Sequence, residues 1–161
     1  SSSGSGLMIG GFYLNNELTD FSRSPTVNGR LVANRVEGGK RPRSSMSPIL
    51  IWAPDGTPLM AVGAAGGPTI PVQTTRSIIG AIDFGLDANG ALGLPFIMSF
   101  GDRTMVEQGT WLESAIPAFT ALGQPQPFAR EAPVKANAVL WRRGVWQSAR
   151  DPRLEAQLAL P

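Results

Sequence analysis

The chain contains no histidine and no cysteine. Without histidine it lacks the usual general base and the commonest transition-metal ligand, so neither a Ser-His-Asp triad nor a zinc site can be assembled from its own residues. Without cysteine it has no disulfide framework, no thiol nucleophile and no redox marker of its compartment. No apolar run has the length of a bilayer span, and the first residues carry neither the apolar core nor the basic flank of a signal peptide. A threonine nucleophile whose base is its own α-amino group needs no histidine, and the composition is compatible with that chemistry.

What is present predicts one folded domain. With 161 residues, 42% of them hydrophobic, the chain can bury a core of its own, and disorder is not indicated. Residues 1–5 read as linker and residues 6–161 as the domain, while Ser5-Gly6 fits a linker and a native stretch equally well. No internal repeat is visible.

Gly10 to Leu14 reads as a strand that delivers Asn15 to Asp20 at its end, and Arg23 to Gly39, with Pro25, Asn28-Gly29 and Gly38-Gly39, reads as a long loop. Two apolar runs, Pro48 to Trp52 and Leu59 to Val62, flank Pro54-Asp55-Gly56-Thr57-Pro58 and predict a hairpin buried on both faces. A helix is expected next, with Thr69 as its N-cap, Pro71 in the first turn, Ile78, Ile79 and Ile82 as its apolar face, and Gly85 at its end. Further helices are expected over Asp87 to Gly93 and Leu112 to Leu122, a strand over Met105 to Glu107, and a closing hairpin from Ala136 to Trp141 and Val145 to Ser148. Sheets covered by helices make the fold class α+β.

Three segments carry candidate chemistry. Glu17 and Asp20, three residues apart on a turn, can jointly accept the several N–H donors of an ammonium, or they are a solvated turn with a local cap. Ser44 and Ser45, in a proline-bracketed turn beside Lys40, Arg41 and Arg43, can donate two O–H groups to a carboxylate, or they serve local hydrogen bonding. Gly66 and Gly67 follow an apolar strand and precede a helix. That context lets two adjacent N–H groups face a developing oxyanion, where an isolated Gly-Gly pair is only a turn.

In this order and spacing, the blocks Leu14-Asn15-Asn16-Glu17-Leu18-Thr19-Asp20-Phe21, Gly39-Lys40-Arg41-Pro42-Arg43-Ser44-Ser45-Met46-Ser47-Pro48 and Val62 to Pro68 resemble the small subunit of the γ-glutamyltranspeptidases. Weaker likenesses lie at Ile82-Asp83-Phe84-Gly85, at Val106-Glu107-Gln108-Gly109 and at Ala149-Arg150-Asp151-Pro152-Arg153, so the resemblance runs from about Gly6 to Arg153. Thr19, Pro68 and the histidine-free stretch Phe96 to Ser99 depart from the family's usual pattern. The resemblance implies part of the αββα sandwich of the N-terminal-nucleophile hydrolases. It implies γ-glutamyl transfer or hydrolysis on glutathione and related γ-glutamyl amides, with an amino acid, a peptide or water as acceptor. Glu17 and Asp20 are then expected to bind the substrate ammonium, Ser44 and Ser45 its carboxylate, and Gly66 and Gly67 to form the oxyanion hole.

By the same resemblance, no cofactor is expected. The nucleophilic threonine and a carboxylate-binding arginine are expected from residues outside this sequence, the second from a large subunit of the same precursor, so the chain alone is expected to be inactive. The family suggests a periplasmic or secreted setting, but the residues leave the compartment open, the cytoplasm included. Two other readings compete. A glutaryl acylase of the same fold would have no ammonium to bind, which Glu17 and Asp20 argue against. A basic nucleic-acid-binding module would draw on fourteen cations and four tryptophans, yet the net charge is only +2 and Trp52, Trp111, Trp141 and Trp146 are scattered.

Overall fold

The structure, a computed structural model, describes residues 4–154; the expected linker residues Ser1 to Ser3 lie outside them. Contacts divide the chain into two compact units, Ser1–Ser45 and Met46–Pro161.

The first unit is built from short pieces. Strands β1 (Met8–Ile9) and β2 (Phe12–Tyr13) pair antiparallel across Gly10 and Gly11, whose φ angles are both positive. Of the strand expected over Gly10 to Leu14, Phe12–Tyr13 is formed, while Gly10 and Gly11 make the turn of a tight hairpin. Strands β3 (Thr26–Val27) and β4 (Arg30–Leu31) form a second small hairpin about Asn28 and Gly29, both at positive φ, inside the segment expected to be a plain loop. Between the hairpins, Glu17–Asp20 form a 3-10 turn.

In the second unit, strands β5 (Ile49–Trp52), β6 (Pro58–Ala64), β10 (Ala136–Arg142) and β11 (Val145–Arg150) form an antiparallel sheet in the order β11-β10-β6-β5. Helices α1 (Ile70–Ile82) and α2 (Ala88–Gly93) cover one face. The core there is Met60, Val62, Ala136, Ala138 and Leu140 from the sheet against Ala81, Ala88, Ala91 and Leu92 from the helices. Gly80 permits the close helix contact, since a Cβ on it would stand 2.8 Å from Leu94 Cδ1 and 3.0 Å from Ala91 Cα. Side chains alternate across a sheet, so the opposite face carries Leu50, Ala61, Val139 and Ser148, aligned in one row by the register. Trp141 pairs with Trp146 beside that row, their ring centroids 5.3 Å apart. Leu50 and Trp52 remain 69% and 57% exposed, so the β5–β6 hairpin is buried on one face and not on both as expected.

Helix α1 also differs from expectation. Its buried residues are Ile70, Gln73, Thr74, Ser77, Gly80 and Ala81, spaced as one helical face, while Ile79 and Ile82 point outward. Of the three isoleucines expected to form the apolar face, Ile78 does pack against the core, partly buried, while the fully buried positions nearest the sheet and α2 are taken by small and polar side chains. Asp87 caps α2 by accepting the Gly90 N–H at 2.7 Å. The helix expected over Leu112 to Leu122 is two short ones, α3 (Trp111–Ser114) and α4 (Ile116–Ala121), because Pro117 cannot donate to the preceding turn and starts a new helix.

Strands β7 (Ile97–Ser99), β8 (Thr104–Glu107) and β9 (Pro127–Arg130) form a three-stranded sheet around Phe96, Met105, Ala132 and Val134. A buried charge cluster ties this sheet to α2. Arg153 donates to Asp151 at 2.8 Å and to Glu107 at 2.7 Å, and also to the carbonyls of Leu92 and Leu94. Arg76 reaches the Leu92 and Leu94 carbonyls and Asp151. Burial alone would lower the pKa of Arg153, but hydrogen bonds and charge from Asp151 and Glu107 outweigh it and raise the value. For Arg76, burial first and the Arg153 cation second pull the pKa down to about 10.

Candidate active site

The acidic turn and the double-serine turn both lie in residues 1–45. A 3-10 turn has three residues per turn, so Glu17 and Asp20 leave its backbone on the same side, and both are half-buried. The turn is closed by the Asn15 side chain, which accepts the Glu17 N–H at 3.0 Å, and by the Thr19 hydroxyl, which donates to the Asn16 carbonyl at 2.8 Å. Thr19, which departs from the family pattern, thus serves the turn itself.

One side chain joins this turn to the serine segment. Asn34 Nδ2 donates to the Asp20 carbonyl at 2.7 Å, and Asn34 Oδ1 accepts the Arg43 N–H at 2.9 Å. Ser44 and Ser45 follow Arg43 directly, Ser44 exposed and Ser45 half-buried. The amide of Asn34 therefore brings the backbone that carries Asp20 and the backbone that carries Ser44 and Ser45 onto one framework. Sequence reasoning did not single out Asn34, because its bonds run to main-chain atoms 14 and 9 residues away and leave no local pattern.

The cations nearby are partly committed. Lys40 contacts Glu37 at 3.2 Å and donates to the Ala33 carbonyl at 2.8 Å, and Arg35 contacts Glu37 at 2.6 Å. The Lys40 hydrogen bond, with the Arg35 charge, holds the exposed Glu37 carboxyl below its ordinary range.

Gly66 and Gly67 lie in the second unit, in the connection from β6 to α1 that the sequence predicted. Gly66 has φ 134° and ψ 19°, and Gly67 has φ 58°, backbone that L side chains rarely adopt. The loop is held from the helix side. Thr69 Oγ1 donates to the Gly66 carbonyl at 3.1 Å, and Gln73 Nε2 donates to the Ala65 carbonyl at 3.0 Å and to Thr69 Oγ1 at 2.9 Å. Gln73 Oε1 accepts the Lys135 N–H at 2.7 Å, which anchors the arrangement to the segment entering β10. Thr69 occupies the expected N-cap position without accepting a helix N–H; its hydroxyl is drawn back to the loop instead. Thr69, Gln73 and Ser77 recur every four residues on the buried face of α1, a polar stripe visible in the sequence once the buried face is known.

Among the described residues, no group of three or more Asp, Glu, His or Cys side chains could hold a metal ion, and no helix is long and apolar enough to cross a membrane.

Comparison with known proteins finds relatives of this chain. A family profile described as Gamma-glutamyltranspeptidase matches residues 1–160. The glutathione hydrolase proenzyme of Escherichia coli (strain K12) is 31% identical over 159 residues, which is 93% of this chain and 27% of that protein. The proenzyme of the same description from Bacillus subtilis (strain 168) is 40% identical over 96 residues, 58% of this chain and 15% of the relative. The chain thus spans roughly a quarter or less of these curated relatives' length. A solved variant of Helicobacter pylori γ-glutamyltranspeptidase superposes with a TM-score of 0.76 at 28% identity, covering 94% of this chain and 87% of that one. The fold is the α+β architecture of the N-terminal-nucleophile hydrolases.

Proposed function

The chain belongs to the γ-glutamyltranspeptidase family, and from that premise we propose that it forms the small-subunit part of an enzyme that transfers or hydrolyses the γ-glutamyl group of glutathione and related amides. One observation carries the reading furthest. A γ-glutamyl donor has an ammonium and a carboxylate on the same carbon, and in the first unit Asn34 links the backbone at Asp20, in the turn of the carboxylate pair, to the backbone at Arg43, next to the hydroxyl pair. Glu17 and Asp20 accept from the ammonium, and Ser44 and Ser45 donate to the carboxylate.

The reaction proceeds from that anchored head group. A threonine hydroxyl from outside this sequence attacks the γ-carbonyl carbon, and its proton passes to that threonine's own α-amino group. Negative charge develops on the carbonyl oxygen, which accepts from the N–H groups of Gly66 and Gly67. Collapse expels the amine, which takes up the proton and leaves a γ-glutamyl ester on the threonine. Water or an acceptor amine attacks the ester by the same route in reverse.

A large subunit of the same precursor is the proposed partner. Among the described residues of the second unit, the sheet face opposite the helices exposes Leu50, Trp52, Val139 and Trp146, and a second sheet packed on it would complete a four-layer sandwich.

The test uses the full-length precursor and two chromogenic donors, a γ-glutamyl anilide and the glutaryl anilide that lacks the α-amino group. Asp20→Ala removes a charge-assisted interaction worth about 1.5–3 kcal/mol, so KM for the γ-glutamyl donor is expected to rise at least tenfold while the glutaryl donor is little affected. Equal losses on both donors, or a native preference for the glutaryl amide, would refute the assignment.

A further inference from the structure

The oxyanion reading requires two adjacent N–H groups that both face outward, and two successive glycines do not secure this by themselves. Neither carries a side chain that would resist rotation of the peptide between them, and a flipped peptide would present a carbonyl where a donor is needed.

The contacts on the helix side supply what the glycines lack. Among the described residues no peptide bond is cis, so in each of these peptide units the carbonyl and the N–H point in opposite directions. The Ala65 carbonyl is held by Gln73, which turns the Gly66 N–H away from Gln73. The Gly66 carbonyl is held by the Thr69 hydroxyl at 3.1 Å and, at the longer distance of 3.4 Å, by the Thr69 backbone N–H, which turns the Gly67 N–H away from Thr69. Both N–H groups therefore leave the loop on the side opposite the clamp, and among the described residues neither donates a hydrogen bond.

Gln73 is fully buried, with 0% of its surface exposed, and both its amide nitrogen and its amide oxygen are engaged. The Thr69 hydroxyl is used in both senses, accepting from Gln73 while donating to Gly66. Rotating either peptide would leave buried polar groups without partners, so the network favours one loop orientation.

Resting on the reading of Gly66 and Gly67 as oxyanion donors, we infer that Thr69 and Gln73 are positioning residues that hold a preformed oxyanion hole. They touch neither substrate nor nucleophile; they act by fixing which way two peptide units face.

The experiment compares Thr69→Val, Thr69→Ser and Gln73→Leu in the full-length precursor, with kcat expressed per active site counted from the first-turnover burst. Thr69→Val and Gln73→Leu keep shape but lose the donor. Each is expected to lower kcat about tenfold or more while KM for the γ-glutamyl anilide changes less than about threefold, because a donor to the oxyanion acts on the transition state. Thr69→Ser keeps the hydroxyl and is expected to restore most of the rate. A merely structural role would lower the melting temperature and the yield of active sites but leave kcat per site and its recovery by serine unmoved, and that result would overturn the inference.

Should Thr69→Val or Gln73→Leu not mature to an active form, a crystal structure of the folded variant decides. A rotated 65–66 or 66–67 peptide supports the clamp, and an unchanged loop overturns it. If Gly66→Ala abolishes turnover while these variants do not, the clamp fails and the oxyanion assignment stands; if Gly66→Ala is itself silent, the underlying reading fails.

Discussion

Replacing Gly66 by alanine in the full-length precursor separates a functional glycine from an incidental one. A Cβ at this position would stand 2.6 Å from Thr69 Oγ1, 3.1 Å from Gln73 Nε2 and 3.3 Å from the Pro133 carbonyl oxygen. The first distance is shorter than any tolerable contact, and the third involves main chain that cannot move aside cheaply. The φ angle of 134° adds strain of about 1–3 kcal/mol for any L side chain. Displacing the Thr69 hydroxyl or the Gln73 amide would leave a buried polar group unsatisfied, at a further cost of about 1–3 kcal/mol. A total of about 2–6 kcal/mol is a large share of the roughly 5–15 kcal/mol that holds a domain together. Either the clamp side chains give way or the loop rotates its peptides, and both loosen the direction of the two donors.

Gly67→Ala is the internal comparison. Its φ is 58° and nothing lies within 4 Å of the added Cβ, so the cost is the left-handed backbone alone, about 1–2 kcal/mol. In the processed protein, Gly66→Ala is expected to lower kcat on a γ-glutamyl anilide by about 10²–10³-fold, the usual effect of losing an oxyanion donor. Gly67→Ala is expected to cost clearly less in both kcat and melting temperature. Equal behaviour of the two variants, or a Gly66→Ala enzyme with unaltered kcat, would refute the reasoning.

The two remaining perturbations act at a distance from the glycine loop. Asn34→Ala removes the bridge between the Asp20 carbonyl and the Arg43 N–H, so KM for γ-glutamyl donors is expected to rise about five- to tenfold with kcat nearly kept; a change confined to kcat would contradict a head-group role. Arg153→Met leaves Asp151, fully buried, and Glu107 without their principal cation, and chemical denaturation is expected to show a loss of about 3–5 kcal/mol; a loss under about 1 kcal/mol would mean that Arg76 suffices to balance both carboxylates.

Parts of the fold governed by local chemistry were legible in the sequence. The β10–β11 hairpin follows from alternating apolar residues around Arg143 and Gly144, and the start of α2 follows from Asp87 as its cap. The buried face of α1 was legible only in part: Ile78 packs on the core as expected, but Ile79 and Ile82 satisfy a helical period as well as Gln73, Thr74, Ser77 and Ala81 do and are exposed. Which face turns inward depends on the space left by α2 and the sheet, a property of the assembled structure. The candidate site divides in the same way. Glu17, Asp20, Ser44, Ser45, Gly66 and Gly67 stand in compact motifs whose residue types announce their chemistry. Asn34, Thr69 and Gln73 act on main-chain atoms, up to 62 residues away for Gln73 and Lys135, and such bonds leave no trace in sequence order.

The most direct test of the account is a crystal structure of the processed two-subunit protein with L-glutamate bound. The account predicts the glutamate ammonium within about 3 Å of the Asp20 carboxylate and in reach of Glu17. It predicts the α-carboxylate on the hydroxyls of Ser44 and Ser45, and a γ-carboxylate oxygen accepting from the N–H groups of Gly66 and Gly67. Glutamate bound with its ammonium away from Asp20, or with the two glycine N–H groups turned from the γ-carboxylate, would contradict it.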